Sequence, residues 1–580
     1  MKSIALFLCF LISAPAFAQL SVEQRAFDFQ VLASLYAKRY APLQWKRDLF
    51  NFDVLDLKPW LSRVREAKDD VEFLELCKEY VASFDDLHTS FNAPGSLVAD
   101  TGLFTDIYEG KVLVDGINRT LLPAARFPIA VGDEVVSIDG QPVEEVLAAI
   151  TRRQKMGNPV TTRRYAADLL TFRPGNELPR TVELGDNLEI ELRQSEGEIR
   201  KFTIPWVKTG YSSSKIGPVP SPRTAVALDD SEEEAVSPQA ALITSLHGNA
   251  AWKVPSENWV ARRFQRLQEN REEVEGWVLG WGNRTPGFAP PAGFQQRLGR
   301  ATADFHFSGT YTAEGKRIGY LRIPNFAPAS AAAAQREIAG EIAFFRQNTD
   351  GLIVDVQRNT GGGCYMLTAT AYLIPQRFWF FGQEIRPTQD TIASYQATLE
   401  LARRLEVDQW LIDTIEFQLG MIKQAYNEPR GMTGPIPACS FTFENDPAKD
   451  ATARVIAYEK PLIVLIDEFS TSAGDIFPAM MQDNKRGPLV GTRTNGAGGS
   501  ISLWDTGFFM EATATNTDSL VTRREPRAVQ GYPTSHYIEN VGAQPDIPLE
   551  RMTVENLRSG GRQFTDGFTR IMLEEIAKAP

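Results

Sequence analysis

The stretch PLIVLIDEFSTSAGDIFPAMM, residues 461–481, sets an unbroken apolar run directly against a helix start. PLIVLID is short and continuous, which reads as a strand buried on both faces. A second run of this kind, GLIVDVQ at 351–357, leads into RNTGGG. RIGYLRI at 317–323 comes before it, with a helix expected from about Ser330 to Gln347, and PLVG follows at 488–491. Apolar runs alternating with helices predict an α/β core with a largely parallel sheet.

Ligands of such sheets bind beyond the carboxyl ends of the strands. Two loops leave there: Asn359-Thr360-Gly361-Gly362-Gly363 and Phe469-Ser470-Thr471-Ser472-Ala473. Consecutive glycines let a backbone approach a substrate closely and aim its N–H groups at one point. A helix start adds unpaired N–H groups and a positive dipole end. Ser472 therefore has two readings. Its spacing to Asp475 resembles a capping box, and serines at helix starts commonly cap. Alternatively it is a nucleophile whose oxyanion the two loops hold, which requires a base and an orienting group elsewhere.

Working outward, the chain is multidomain, as 580 residues imply. Residues 1–18, MKSIALFLCFLISAPAFA, combine Lys2, an apolar core and Ala16-Phe17-Ala18, and read as a secretory signal peptide. Export to the periplasm or beyond the cell is the expected localisation. Residues 19–95 read as an N-terminal helical unit. Ser21 and Gln24 suggest a capping box, Phe27, Val31 and Leu35 a helix face with Leu32 and Tyr36 beside it, and 70–83 a second helix. Residues 96–208 carry short strands, KVLVDGI and NLEIELRQ, around VGDEVVSIDGQPVEEVLAAI. Residues 209–250 are rich in Ser, Pro and acid and read as a linker or exposed loop. Residues 251–580 form the core, with a helical insertion over 386–428. The tryptophans between 251 and 310 (252, 259, 277 and 281) suggest no role.

Composition excludes some classes. The formal charge is −12, or −13 without Lys2, and no basic stripe appears, which argues against nucleic acid. No later stretch reaches membrane-spanning length. Of four cysteines, Cys9 lies in the signal, and Cys77, Cys364 and Cys439 have no metal spacing. One disulfide is compatible with export, and the sequence does not choose its pair.

Two resemblances add to this reading. VGDEVVSIDG resembles the Gly-Asp turn pattern of PDZ domains, and by that resemblance Gly102-Leu103-Phe104 is expected to hold a peptide's C-terminal carboxylate. RIGYLRI, LIVDVQRNTGGG, VLIDEFSTSAGDIFPAMMQDN, LVGTRTNGAG and YIENVGAQPDI, in this order, resemble the core motifs of the C-terminal-processing (tail-specific) serine peptidases, in the branch of the tricorn core and the chlamydial protease-like activity factor. The resemblance implies a ClpP/crotonase-like core and places the nucleophile at Ser472, with Asp475 where the family's motif has Glu. It implies oxyanion donors at Ala473 and in the glycine loop, at Gly362. Ala497 stands where many members carry a lysine base, and a methyl group accepts no proton. The branch's other solution is a histidine from an N-terminal segment, which points to His88; His536 is the runner-up and His247 lies beside the linker. Glu539 matches the glutamate of the final motif and would orient the imidazole, while Asp546 reads as structural. The expected function is a secreted or periplasmic serine endopeptidase acting on protein or peptide substrates, with no cofactor or metal implied and a homo-oligomer left open. A non-catalytic peptide- or ligand-binding protein on the same scaffold is the alternative. Self-inhibition by the 209–250 loop is a third expectation.

Overall fold

The computed structural model describes residues 19–51, 53–212, 274–276, 280–440 and 442–579. The signal segment, the linker from residue 213, His247 and the tryptophans at 252, 259 and 277 lie outside the described residues.

Four helices, Val22–Arg39, Leu43–Phe50, Lys58–Glu66 and Asp70–Ala82, build the N-terminal unit. The first opens with the expected capping box: the Ser21 hydroxyl accepts from the Gln24 N–H, and the Gln24 side chain accepts from the Ser21 N–H. Its buried face differs from the expected one. Phe29, Leu32, Ala33 and Tyr36 are buried with Arg25 and Asp28, while Phe27 is 47% exposed. The physical reason lies outside the helix. The Asp28 carboxylate accepts N–H groups from Phe508, Phe509 and Met510, and the Tyr36 hydroxyl donates to the Thr515 carbonyl. These bonds rotate the helix onto a hairpin of the core, leaving Phe27 at the rim against Phe508 and Phe509. The strand Phe91–Asn92 completes the docking by pairing antiparallel with Ala512–Thr517.

The next unit is a twisted antiparallel sheet in the order Val274–Gly276, Lys111–Asn118, Glu134–Ile138, Asn187–Arg193, Ile199–Pro205, with Leu103–Tyr108 also on Lys111–Asn118. Helices Val143–Thr151 and Pro159–Asp168 pack on it. Val274–Gly276, placed in the core by sequence, instead pairs with Gly116–Asn118 of this sheet.

The core is a seven-stranded sheet: Gln295–Leu298, Phe307–Ala313, Lys316–Arg322, Gly351–Asp355, Leu462–Ile466, Leu489–Gly491 and Ile547–Pro548. The first pairings are antiparallel; from Lys316–Arg322 onward all are parallel. The strands Gly351–Asp355 and Leu462–Ile466 are buried throughout. One face is covered by helices Ala331–Asn348, Tyr365–Leu373 and Ala473–Asp483, and the other by Arg562–Lys578 through Phe564, Phe568, Ile571 and Met572. Two helices, Gln389–Arg404 and Gln409–Asn427, form the insertion.

A disulfide joins Cys364, directly after the glycine loop, to Cys439, and Cys77 is a buried free thiol. The bond closes a loop of 75 residues around the two insertion helices. Reduction, or Cys439→Ser, is expected to lower the unfolding free energy by about 2–4 kcal/mol. Denaturant unfolding with and without reductant measures this, and Cys77→Ser should leave the reductant effect in place.

Candidate active site

Ser472 does not cap the helix it precedes. It has no side-chain capping hydrogen bond, and its backbone sits at φ 58°, ψ −120°. That left-handed conformation is unfavourable for a residue with a Cβ and persists only where the surroundings impose it. Thr471 imposes it from one side, donating its N–H to the Asn359 carbonyl at 2.9 Å. Asp475 imposes it from the other. Its carboxylate accepts the N–H groups of Gly496 (2.7 Å) and Ala497 (3.0 Å), and burial pushes its acid up to about 6 against hydrogen bonds from Thr494, Gly496, Ala497 and the Ser472 backbone. The loop that contains Ala497 is thus clamped beneath the helix start.

The glycine loop lies against this turn. Gly361 has φ 88°, and a Cβ there would fall 2.6 Å from the Ser472 Cβ, so no side chain fits. The Gly361 N–H donates to the Asn359 side chain and the Gly363 N–H to the Phe326 carbonyl. The N–H groups of Gly362 and Ala473 donate to no protein acceptor among the described residues. Two unused donors therefore lie on the two loops that meet at Ser472.

Ser472 and His88 line one cavity of about 200 Å³. Thr360, Thr471 and Trp281 line it beside the serine, and Ile501, Leu503, Thr513 and Thr515 form a sheet face along one wall. His88 follows the last N-terminal helix in a turn that Asp86 ties. One Asp86 oxygen accepts the His88 N–H at 2.8 Å; the other accepts hydroxyls from Tyr40, Thr89 and Thr517. The ring is buried, its Nδ1 has no hydrogen-bond partner, and burial drives the imidazole down to about 4, so it is neutral at pH 7.

Glu539 is buried behind this turn, and both its oxygens are occupied: Oε1 by the Lys46 ammonium at 2.7 Å, Oε2 by the Gly498 N–H at 3.0 Å. Burial, with the nearby Asp86 charge, raises its acid, while the Lys46 ammonium and the Gly498 N–H favour the carboxylate. The bond from the imidazole to Glu539 is not made in this structure. Sequence reasoning did not find Lys46 or Asp86. Asp86 was legible only as a neighbour of His88, and a lysine in a short helix 493 positions from its partner carries no local signal. The remaining candidates lie elsewhere. His536 is exposed on Tyr532–Tyr537, His306 is buried between Glu337 and the Tyr365 hydroxyl, and Asp546 accepts the Leu489 N–H as a structural tie.

The loop Gly102-Leu103-Phe104 is buried. The Gly102 N–H donates to Asp100, the Leu103 N–H to Thr101, and the Leu103 carbonyl accepts from Thr171. Helix Pro159–Asp168 closes against the same strand, with the Thr105 hydroxyl on the Ala167 carbonyl. The helix also reaches the loop that leads to Ser472. Arg164 bridges Asp106 (2.6 Å) and Glu468 (2.5 Å), while Arg358, at the root of the glycine loop, pairs with Asp106 at 3.2 Å and donates its N–H to Asp467.

Comparison with known proteins follows this geometry. Residues 317–549 match the model of peptidase family S41, and residues 104–216 match that of the PDZ domain. A Chlamydia pneumoniae protein is 25% identical over 96% of this chain and 91% of its own length. A carboxyl-terminal-processing protease of Synechocystis is 24% identical over 41% of this chain and 39% of its own length. A structure of mature CPAF complexed with lactacystin superposes with a TM-score of 0.71 at 20% identity, covering 96% of this chain and 99% of that one.

Two outcomes are expected from the geometry. Gly361→Ala should fold yet lose most labelling of Ser472 by a fluorophosphonate, because its methyl displaces the hydroxyl; undiminished labelling would refute the packing. The second concerns pH. A histidine whose folded pKa, about 4, lies below its unfolded value near 6.5 binds its proton more weakly when folded. Its cost to stability is absent above the unfolded pKa and grows as pH falls from about 6.5 to 4. Wild type should therefore lose about 2–4 kcal/mol relative to His88→Gln across that window in denaturant unfolding.

Proposed function

We propose that this chain, a serine peptidase whose residues 317–549 match peptidase family S41, hydrolyses internal peptide bonds of proteins through Ser472, His88 and Glu539. The observation that carries this is the uncapped, left-handed Ser472 sharing a cavity with a neutral buried imidazole.

The chemistry follows from the parts. The imidazole takes the Ser472 proton as Oγ bonds to the scissile carbonyl carbon. The developing oxyanion meets the N–H groups of Ala473 and Gly362, which have no other acceptor among the described residues. The imidazolium returns its proton to the leaving amine as the C–N bond breaks, and water, deprotonated by the same ring, releases the acyl group. Glu539 stabilises the transient imidazolium, and the ring reaches it when substrate closes the site, since resting catalytic bonds are often loose. No lysine stands at the position where many family members carry the base, because Ala497 occupies it with its N–H already on Asp475.

The sheet face of Ile501, Leu503, Thr513 and Thr515 suits an extended polypeptide of mixed character. Capture of a C-terminal carboxylate at Gly102, Leu103 and Phe104 requires Asp100, Thr101 and Thr171 to release the groups they now hold. Export fits the Cys364–Cys439 disulfide, since such bonds persist in oxidising compartments. No described helix is long and apolar enough to cross a membrane.

Ser472→Ala should abolish fluorophosphonate labelling and lower casein cleavage by about 10³-fold or more. Cleavage at the wild-type rate by this variant would end the proposal. Peptide binding by wild type without turnover would favour a binding protein on the same scaffold.

A further inference from the structure

We propose that Lys46 is a positioning residue for proton transfer, holding the Asp85–His88 turn against the Glu539–Asn540 segment; this rests on the peptidase reading above. The Lys46 side chain is 1% exposed. An ammonium has three donors, and all three are used: on Glu539 Oε1 at 2.7 Å, Asn540 Oδ1 at 2.6 Å and the Asp85 carbonyl at 2.8 Å. The Asn540 amide returns to the Asp85 carbonyl at 2.9 Å and the Gly157 carbonyl at 3.2 Å, and Trp45 Nε1 donates to Asn540 at 3.3 Å. One cation therefore fastens the N-terminal turn that ends in His88 to the core segment that carries Glu539.

Packing alone does not require a lysine there. A buried carboxylate does require a partner, and removing one member of a buried pair leaves the other uncompensated. The ammonium also acts on the ring. Of the charged groups facing His88, Asp86 favours the imidazolium and Lys46 opposes it, adding to burial in keeping the base neutral. Lys46 lines no part of the cavity, so its loss should fall on kcat and spare KM.

The test compares Lys46→Met with wild type, using full-length protein, a fluorogenic peptide and active-site titration with a fluorophosphonate. The expected result is a fall in kcat per titrated site of about tenfold or more with KM little changed. The acidic limb of kcat/KM should move to higher pH, since the imidazole loses its neighbouring cation. A purely structural lysine would reduce the titrated fraction and leave kcat per site and the limb where they were; that result overturns the proposal. If Lys46→Met does not fold, Lys46→Met with Glu539→Gln removes both charges and is compared with Glu539→Gln alone. A further upward shift of the limb supports the proposal, and coincident limbs overturn it. Absence of labelling and turnover in wild type would instead refute the peptidase reading.

Discussion

A single buried ammonium connects the parts of this molecule that chemistry requires together. Lys46 comes from a short N-terminal helix, and its acceptors come from the turn before His88 and from the last motif of the core. Without that contact the helical unit would still cover the hairpin through Asp28 and Tyr36, because those bonds are made at another place. The His88 turn would keep its bonds to Thr517 and the Asn540 amide but lose its link to Glu539. Burying an ion pair is favourable only where its hydrogen bonds are complete, and Asn540 Oδ1 and the Asp85 carbonyl complete those of the ammonium.

The second constraint is steric. Ser472 is held in a backbone region that its Cβ resists, and the strain persists because loops on both sides are fixed. Thr471 is tied to Asn359, Gly361 presses where only a glycine fits, and Asp475 holds the loop around Ala497. The same arrangement leaves the Gly362 and Ala473 N–H groups without an acceptor among the described residues. Strain and unused donors are two consequences of one turn geometry.

The PDZ domain is wired into this arrangement. Arg164 and Arg358 share Asp106, and both reach the loop of Asp467 and Glu468 just ahead of Ser472. Phe469 lies under both guanidinium groups, and its carbonyl accepts Trp281 Nε1. A displacement of helix Pro159–Asp168 would therefore be felt at the serine turn, since the ion pairs are buried and have no solvent to replace them.

Local pattern determined the parts of this protein that depend on neighbours in sequence. The continuous apolar runs at 351–357 and 461–467 specified buried parallel strands, because only such strands lack a polar face. The capping box at Ser21 and the two insertion helices were legible for the same kind of reason. The rotation of the first helix was not legible, because hydrogen bonds from Asp28 to residues some 480 positions away set it. Nor were the pairing of Cys364 with Cys439, the left-handed backbone of Ser472, or the partnership of Lys46 with Glu539. Each is decided by where distant backbone arrives in space. Sequence alone names the groups able to react, while tertiary packing determines which are dry, strained or paired, and desolvation and hydrogen bonding set their chemistry.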